Sequence, residues 1–280
     1  MKNLTRFLKR HSLVSGVVLM FLLTWPVDLA NSKILPIQLP DAVTLLLGYG
    51  FVVASLMMTG LTTGRDGVAS LLRRFLLWRV GWQWVLVALF LLPALSLLAV
   101  LLNSALTQTP PDFSAVFAFK IFGPSANLPV LILPFFLFDA LTNGEEIGWR
   151  GYVLPRLQSK HNALLSSLIL GVIWWFWHLP KFLAPGNTSS FPLYLAEMLP
   201  VAVLYTWLYN NTQGSLLLVT LFHASGNTAG VFLPIANTIS GSNLGPFLLF
   251  IALLILTAAA VVASERPAQL SRKERLQVQA

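Results

Sequence analysis

Apolar residues occur in long runs along this chain, separated by short polar segments. A membrane-spanning helix needs roughly 20 mostly apolar residues. Eight runs approach that length: 12–30, 41–60, 82–103, 126–142, 163–180, 192–209, 214–234 and 245–263. The fourth run contains Pro129 and Pro134, which a membrane tolerates only where neighbouring helices satisfy the freed backbone groups. The pattern predicts an all-α polytopic membrane protein, a bundle of about eight transmembrane helices with the fourth inside it.

The composition excludes a soluble globular protein. Hydrophobic residues make up 56% of the 280 residues and charged residues only 10%, against about 25% in soluble domains. The net charge of +8 would indicate a nucleic-acid partner only if the basic residues clustered on a polar domain. No such domain, repeat or linker is visible, so we expect residues 1–280 to form a single integral membrane domain. The absence of cysteine excludes a disulfide framework, a zinc–thiolate site and a cysteine nucleophile.

The basic residues predict the orientation of the bundle, because cytoplasmic loops are enriched in Lys and Arg. Fifteen of the 18 lie in alternate segments. They are Lys2, Arg6, Lys9, Arg10, Arg65, Arg73, Arg74, Arg79, Arg150, Arg156, Lys160, Arg266, Arg272, Lys273 and Arg275. We expect a multi-pass protein of the plasma (inner) membrane with both termini cytoplasmic. We expect its first span to be a retained helix rather than a cleaved signal peptide, because Trp25 and Asp28 occupy positions where a cleavage site needs small residues.

Ionisable and amide side chains at membrane depth are the informative residues of such a chain. Each costs roughly 2.5 to 3.5 kcal/mol on insertion scales unless it faces a cavity or a partner. Those that qualify are Asp139, Glu145, Glu146, Arg150, His178, Glu197, His223 and Asn227. We expect them to line a polar cavity inside the bundle.

The first cluster has the form Glu145-Glu146-x-x-x-Arg150. On a helix, Glu146 and Arg150 are one turn apart and can pair, whereas Glu145 points about 100° away. The pairing leaves Glu145 free, and a free carboxylate in a partly dry cavity suits a general base. The alternative is an ordinary helix start at the membrane interface, with Asn143 near the cap and acids favoured in the first turn.

Two further pairs lie on later spans. Trp174 and His178 are one helical turn apart, as are His223 and Asn227, which are separated by small residues. Taken singly, the first pair is explained by aromatic packing or an interfacial belt. The second is explained by a hydrogen bond between helices.

Together, the three motifs in this order resemble the signature of the CAAX prenyl protease and bacteriocin-processing family, the intramembrane proteases also called the Abi or CPBP family. The protease-like region spans 139–230, and the family's eight-helix architecture agrees with the number of apolar runs. The family's second motif usually begins with phenylalanine, where this chain has Trp174. We expect this exchange to reshape the pocket.

The resemblance implies a site and a reaction. It implies that Glu145 and His178 activate water and that His223 and Asn227 stabilise the oxyanion. Glu146 and Arg150 would be the supporting pair, and Trp174 an aromatic wall. The expected activity is that of an endopeptidase cleaving membrane-tethered or prenylated-type substrates, with membrane lipids and a membrane-anchored peptide or protein as partners.

Three alternatives stay open. A divalent metal such as zinc would take Glu145, His178 and His223 as ligands, but the His-Glu-x-x-His helix is absent, so a metal-free reaction is favoured. A transporter would use Asp139, Glu145, Glu146 and His178 as a proton or cation path. A non-catalytic scaffold or immunity protein would keep the same motifs as a folded polar core.

Overall fold

The computed structural model describes residues 2–187, 189–235 and 244–271, and within these ranges the chain is helical with no β-strand. The α-helices are α1 Lys2–Arg10, α2 Ser12–Asn31, α3 Asp41–Gly48, α4 Gly50–Arg73, α5 Trp82–Thr107, α6 Ala118–Phe122, α7 Leu128–Thr142, α8 Leu154–Gln158, α9 Ala163–Trp177, α10 Leu179–Leu183, α11 Phe191–Asn211, α12 Leu216–Phe232 and α13 Gly245–Ser264. A π-helix, Ile147–Val153, leads into α8, and short 3-10 turns occupy Arg74–Leu76 and Phe113–Ala115. The predicted all-α membrane fold is confirmed.

The predicted number of eight spans is not confirmed. Five helical segments of the described chain are long and apolar enough to cross a membrane: α2, α5, α9 with α10, α11 and α13. A sixth results if α7 and Ile147–Gln158, which meet at 41°, count as one broken span. Helix α12 is apolar but shorter. The basic tail residues Arg272, Lys273 and Arg275 lie outside the described residues.

The second apolar run is longer and less regular in the structure than the sequence predicts. It is divided into α3 and α4, and α4 continues to Arg73 across a kink at Gly64. Gly64 has φ 74° and ψ −164°, a conformation that only glycine adopts without strain. The kink turns the last part of α4 so that it packs beside the π-helix.

The packing of the bundle places α12 and the π-helix at its centre. Helix α12 lies against α5, α7 and α11, and α11 packs on α9, while α2 and the π-helix both pack on α4. Every residue of Ile147–Val153 is buried, and Trp149 and Arg150 are fully so. The polar first motif is therefore surrounded by protein.

The chain enters this interior at the break between α7 and the π-helix. The Glu145 backbone N–H donates to Oδ1 of Asn143 at 3.0 Å, which satisfies one of the free amide groups at the helix start. Glycines allow the close approach to α4, because a Cβ at Gly144 would meet Val52 at 2.5 Å and one at Gly148 would meet Phe51 at 2.5 Å.

Candidate active site

The buried centre of the site is a carboxylate shared by an arginine and a histidine. Nη1 of Arg150 donates to both oxygens of Glu146, at 2.9 and 3.2 Å. Nδ1 of His223 donates to the same Oε1 at 2.8 Å. Glu146 and Arg150 have no solvent exposure, and a buried charge persists only when it is paired and hydrogen-bonded. The pairing of Glu146 with Arg150, one turn apart, is as the sequence indicates, whereas the link to His223 is tertiary.

Two aromatic rings enclose the Arg150 guanidinium. Its central carbon lies 4.4 Å from the ring centroid of Trp174 and 3.9 Å from that of Tyr205. Nε and Nη2 of Arg150 have no hydrogen-bond partner among the described residues. The ring faces take that place, since a desolvated guanidinium is attracted to an aromatic face by about 2 kcal/mol.

Glu145 has different partners from Glu146. The indole N–H groups of Trp149 and Trp174 both donate to its Oε2, each at 3.2 Å, while its Oε1 accepts no hydrogen bond from the described residues. Unlike Glu146, Glu145 is partly exposed and forms no ion pair in the described part of the chain. One oxygen of this carboxylate is thereby fixed and the other is left for a further partner.

His178 directly follows the last residue of α9, and hydrogen bonding and packing fix the orientation of its ring. Its Nδ1 lies 2.8 Å from the Trp174 carbonyl oxygen, which only accepts, so Nδ1 carries the proton and Nε2 presents a lone pair in the neutral ring. The rings of Trp177 and Tyr194 stand edge-on to the imidazole at 4.7 and 5.1 Å. Burial among these rings holds the imidazole in one orientation.

Trp174 joins the motifs on three helices. Its ring centroid lies 6.1 Å from that of His178, 5.8 Å from that of His223 and 6.5 Å from that of Trp149. The expectation that Trp174 acts as an aromatic wall is therefore incomplete. Through its N–H it also hydrogen-bonds Glu145, which phenylalanine cannot do.

Asn227 contacts an acid that the sequence-derived site does not include. Its Nδ2 donates to both oxygens of Asp139 on α7, at 3.1 and 3.3 Å. This contact fixes the otherwise ambiguous orientation of the amide, because only the NH₂ end can donate to a carboxylate. Asn227 lies on an exposed face of α12, one turn after His223.

The residues of the site do not form a metal centre. Among the described residues, no group of three or more His, Cys, Asp and Glu side chains is arranged to hold a metal ion. The Nδ1 atoms of His178 and His223 are hydrogen-bonded, to a carbonyl oxygen and to Glu146, so only their Nε2 atoms could ligate a metal. The structure does not bring Glu145, His178 and His223 together as a ligand set.

An apolar cavity of about 780 Å³ lies between α5, α7 and α12. Its walls include Pro93, Ile132, Phe136 and Thr228. Helices α7 and α12 also carry Asp139 and Asn227, but neither of these two side chains lines the cavity. The apolar walls suit a hydrocarbon chain.

Comparison with known proteins shows a family likeness in this region. The model of the family described as Type II CAAX prenyl endopeptidase Rce1-like matches residues 125–229. The match covers less than half of the chain, so it shows what this segment is similar to. The predicted resemblance is confirmed, and residues 125–229 are called the Rce1-like segment below.

A curated relative extends the likeness beyond that segment. The chain is 28% identical over 165 residues to CAAX prenyl protease 2 of Methanococcus maripaludis. The alignment covers 54% of this chain and 57% of the relative. The likeness therefore spans little more than half of either protein.

The Rce1-like segment contains every site residue predicted from the sequence. The structure brings Glu145, Trp174, Arg150, Glu146 and His223 into one connected network. His178 joins this network through the Trp174 carbonyl, while Asn227 contacts Asp139 instead.

Sequence reasoning missed one link in this site and one residue. The sequence predicts that Asp139 lines the polar cavity, but nothing in its spacing links it to Asn227. Tyr205 is one of several aromatic residues of α11, and no motif marks it. Both are found only through contacts between distant parts of the chain.

Proposed function

We propose that this chain is an intramembrane endopeptidase that hydrolyses peptide bonds of membrane-tethered substrates by direct attack of water. One observation carries the proposal: two adjacent glutamates have opposite environments. Glu146 is buried and neutralised by Arg150, whereas Glu145 is partly exposed with one oxygen held by two indoles. Such a pair separates a structural carboxylate from one available for proton transfer.

In the proposed reaction, Glu145 is the general base. Its Oε1 takes a proton from a water molecule whose oxygen attacks the peptide carbonyl carbon, and Nε2 of His178 accepts the second hydrogen bond of that water. The C–N bond of the peptide then breaks, and the amine leaves after taking the proton from Glu145. The two indoles on Oε2 keep the base in position throughout.

His223 and Asn227 are the proposed oxyanion donors. Because Nδ1 of His223 donates to Glu146, Nε2 can donate to the oxyanion only when the ring carries both protons. The NH₂ of Asn227 has a second hydrogen beside the one directed at Asp139. Loss of one such donor typically slows acyl transfer by about 10²–10³-fold.

The proposed substrates carry an apolar membrane anchor, of the prenylated type named in the relative and in the family. The 780 Å³ apolar cavity between α5, α7 and α12 supports this choice, because it would hold the anchor while the scissile bond lies at the polar site.

The experiment is cleavage of a lipidated reporter peptide by the purified full chain in liposomes. Glu145→Gln, which preserves shape and removes the base, is expected to lower kcat at least 10²-fold. His223→Ala is expected to do the same. Asp112→Asn changes an exposed acid in the loop before α6 and is the matched control, with activity unchanged.

Equal cleavage by the parent chain and both site variants would refute the proposal. Ion flux through the same liposomes, abolished by Glu145→Gln and without any peptide cleavage, would favour the transporter instead. A parallel assay with a chelator tests whether cleavage requires a divalent metal. The proposed reaction requires none.

A further inference from the structure

A second polar cavity lies on another side of the π-helix, separate from the site of Glu145. Its volume is about 180 Å³. It is bounded by the kinked end of α4, the 3-10 turn after it, and the start of α8. The lining residues with polar side chains are Thr59, Thr63, Asp66, Ser70, Arg74 and Arg156.

Arg156 is one of two guanidinium groups in this cavity and is 7% exposed. Nη1 donates to the Tyr152 carbonyl at 3.0 Å and Nη2 to Oγ1 of Thr62 at 3.4 Å. Its central carbon lies 3.6 Å from the Tyr152 ring centroid. All of these partners are neutral.

Arg74 is the second guanidinium and is partly buried. Nη1 donates to the Tyr209 hydroxyl at 2.8 Å and to the Gly151 carbonyl at 3.4 Å. Neither Arg74 nor Arg156 forms an ion pair with a carboxylate of the described residues. Two like charges therefore share one small cavity, and each is hydrogen-bonded only to neutral groups, an arrangement that an anion would stabilise.

From this juxtaposition we infer that the Arg74–Arg156 cavity binds a phosphate group. A guanidinium presents its N–H groups as a fork that matches two phosphate oxygens, and the hydroxyl of Ser70 supplies a further donor at the cavity wall. The exposed carboxylate of Asp66 also lines the cavity, so the bound group faces a net charge of +1. The phosphate comes from an anionic lipid headgroup or from free phosphate.

The inference goes beyond peptide hydrolysis and uses none of its proposed residues. The sequence predicts that the segment 61–81 lies at the cytoplasmic surface, where anionic headgroups are found. In the structure, α4 ends at Arg73 and Arg74 begins a 3-10 turn that directs its side chain to the π-helix. Arg73, its neighbour, is exposed.

The test is binding to the purified full chain in uncharged detergent at constant ionic strength. One arm uses inorganic phosphate, and another uses dihexanoyl phosphatidic acid with dihexanoylglycerol as the phosphate-free control. Affinity is measured by equilibrium dialysis with the ³²P-labelled compound. We expect binding by phosphatidic acid, by inorganic phosphate or by both, and the arm that binds identifies the source.

Matched variants assign the binding to the cavity. Arg74→Gln is expected to weaken affinity about tenfold, while Arg73→Gln, the same change one residue away, leaves it within about twofold. Asp66→Asn removes a negative charge that repels the phosphate, so we expect it to tighten binding. Ser70→Trp is expected to block the mouth of the cavity and to abolish binding while both arginines stay in place. It therefore tests the cavity even if the arginine variants fail to fold.

Three results would overturn the inference. The first is no binding in either arm. The second is equal weakening by Arg73→Gln and Arg74→Gln, which would reduce the effect to general attraction by a basic loop. The third is unaltered binding by Ser70→Trp.

Discussion

Glu145 and Glu146 are neighbours in the chain, yet their carboxylates have unrelated partners. Glu146 receives Arg150 from its own helix and His223 from α12. Glu145 receives Trp149 from its own helix and Trp174 from α9. At the residue scale, each acid therefore has one local and one distant donor, and the distant donor distinguishes their environments.

Trp174→Phe tests the indole donor to Glu145. An aromatic ring remains beside Arg150, while the indole N–H and part of the ring area are lost; the control below makes the same truncation. We expect kcat to fall about tenfold with KM little changed, because one hydrogen bond to a charged group contributes about 1.5–3 kcal/mol. Reporter cleavage by the purified variant measures both constants.

Trp175→Phe is the matched control on the same helix. Its indole donates to the Phe191 carbonyl at 2.8 Å, away from Glu145. We expect its kcat to equal that of the parent chain. A similar loss in both variants would show that the Trp174 effect arises from α9 packing.

Asp139→Ala tests whether this acid positions Asn227. The change removes both oxygens that accept from the amide and fix its orientation, so we expect kcat to fall, though by less than in Asn227→Ala. In the double variant the two losses should not add, since both act through one amide. Additive losses in reporter cleavage would show that Asp139 acts independently.

At the scale of elements, the π-helix Ile147–Val153 is the unusual feature. Single π turns are uncommon and frequently occur at functional sites. This one carries Arg150 and follows Glu145 and Glu146 directly, and its close contact with α4 depends on Gly148. The glycine allows Phe51 to pack flat against the backbone, next to Trp149 at a centroid distance of 4.7 Å.

Gly148→Ala tests that contact. The added Cβ would meet Phe51 at 2.5 Å, and overpacking of a core typically costs about 1–3 kcal/mol. We expect a lower thermal unfolding midpoint in detergent. Gly230→Ala on α12 is the control, because its Cβ meets nothing within 4 Å and alanine favours a helix; its midpoint should be equal or higher. Equal midpoints for the parent chain and Gly148→Ala would contradict the packing argument.

At the scale of the whole molecule, the orientation in the membrane remains a prediction from the basic residues. It places Asp66 on the cytoplasmic side and Asp112 on the opposite side. Both side chains are exposed, and the chain contains no cysteine, so a single introduced thiol can be labelled selectively.

The expected outcome is that a membrane-impermeant maleimide added to intact cells labels Asp112→Cys. Asp66→Cys should be labelled only after the cells are permeabilised. Reversed labelling would invert the predicted topology, and labelling of both in intact cells would refute it.

The sequence by itself determined the helical membrane fold, the likeness of residues 125–229 to the Rce1-like family and the pairing of Glu146 with Arg150. Each depends on local information: the length of apolar runs, the order of motifs, and side chains one turn apart. It overestimated regularity, because the second run is divided into α3 and α4, α4 continues beyond that run across a kink at Gly64, and α7 meets Ile147–Gln158 at an angle of 41°.

Only the tertiary structure decided which residues from different helices meet. The link from His223 to Glu146, the indole of Trp174 on Glu145, the contact of Asp139 with Asn227 and the shared Arg74–Arg156 cavity join distant positions. Helical periodicity specifies the face on which a side chain lies. The partner on the next helix depends on how the bundle packs, which small residues such as Gly148 and kinks such as Gly64 control.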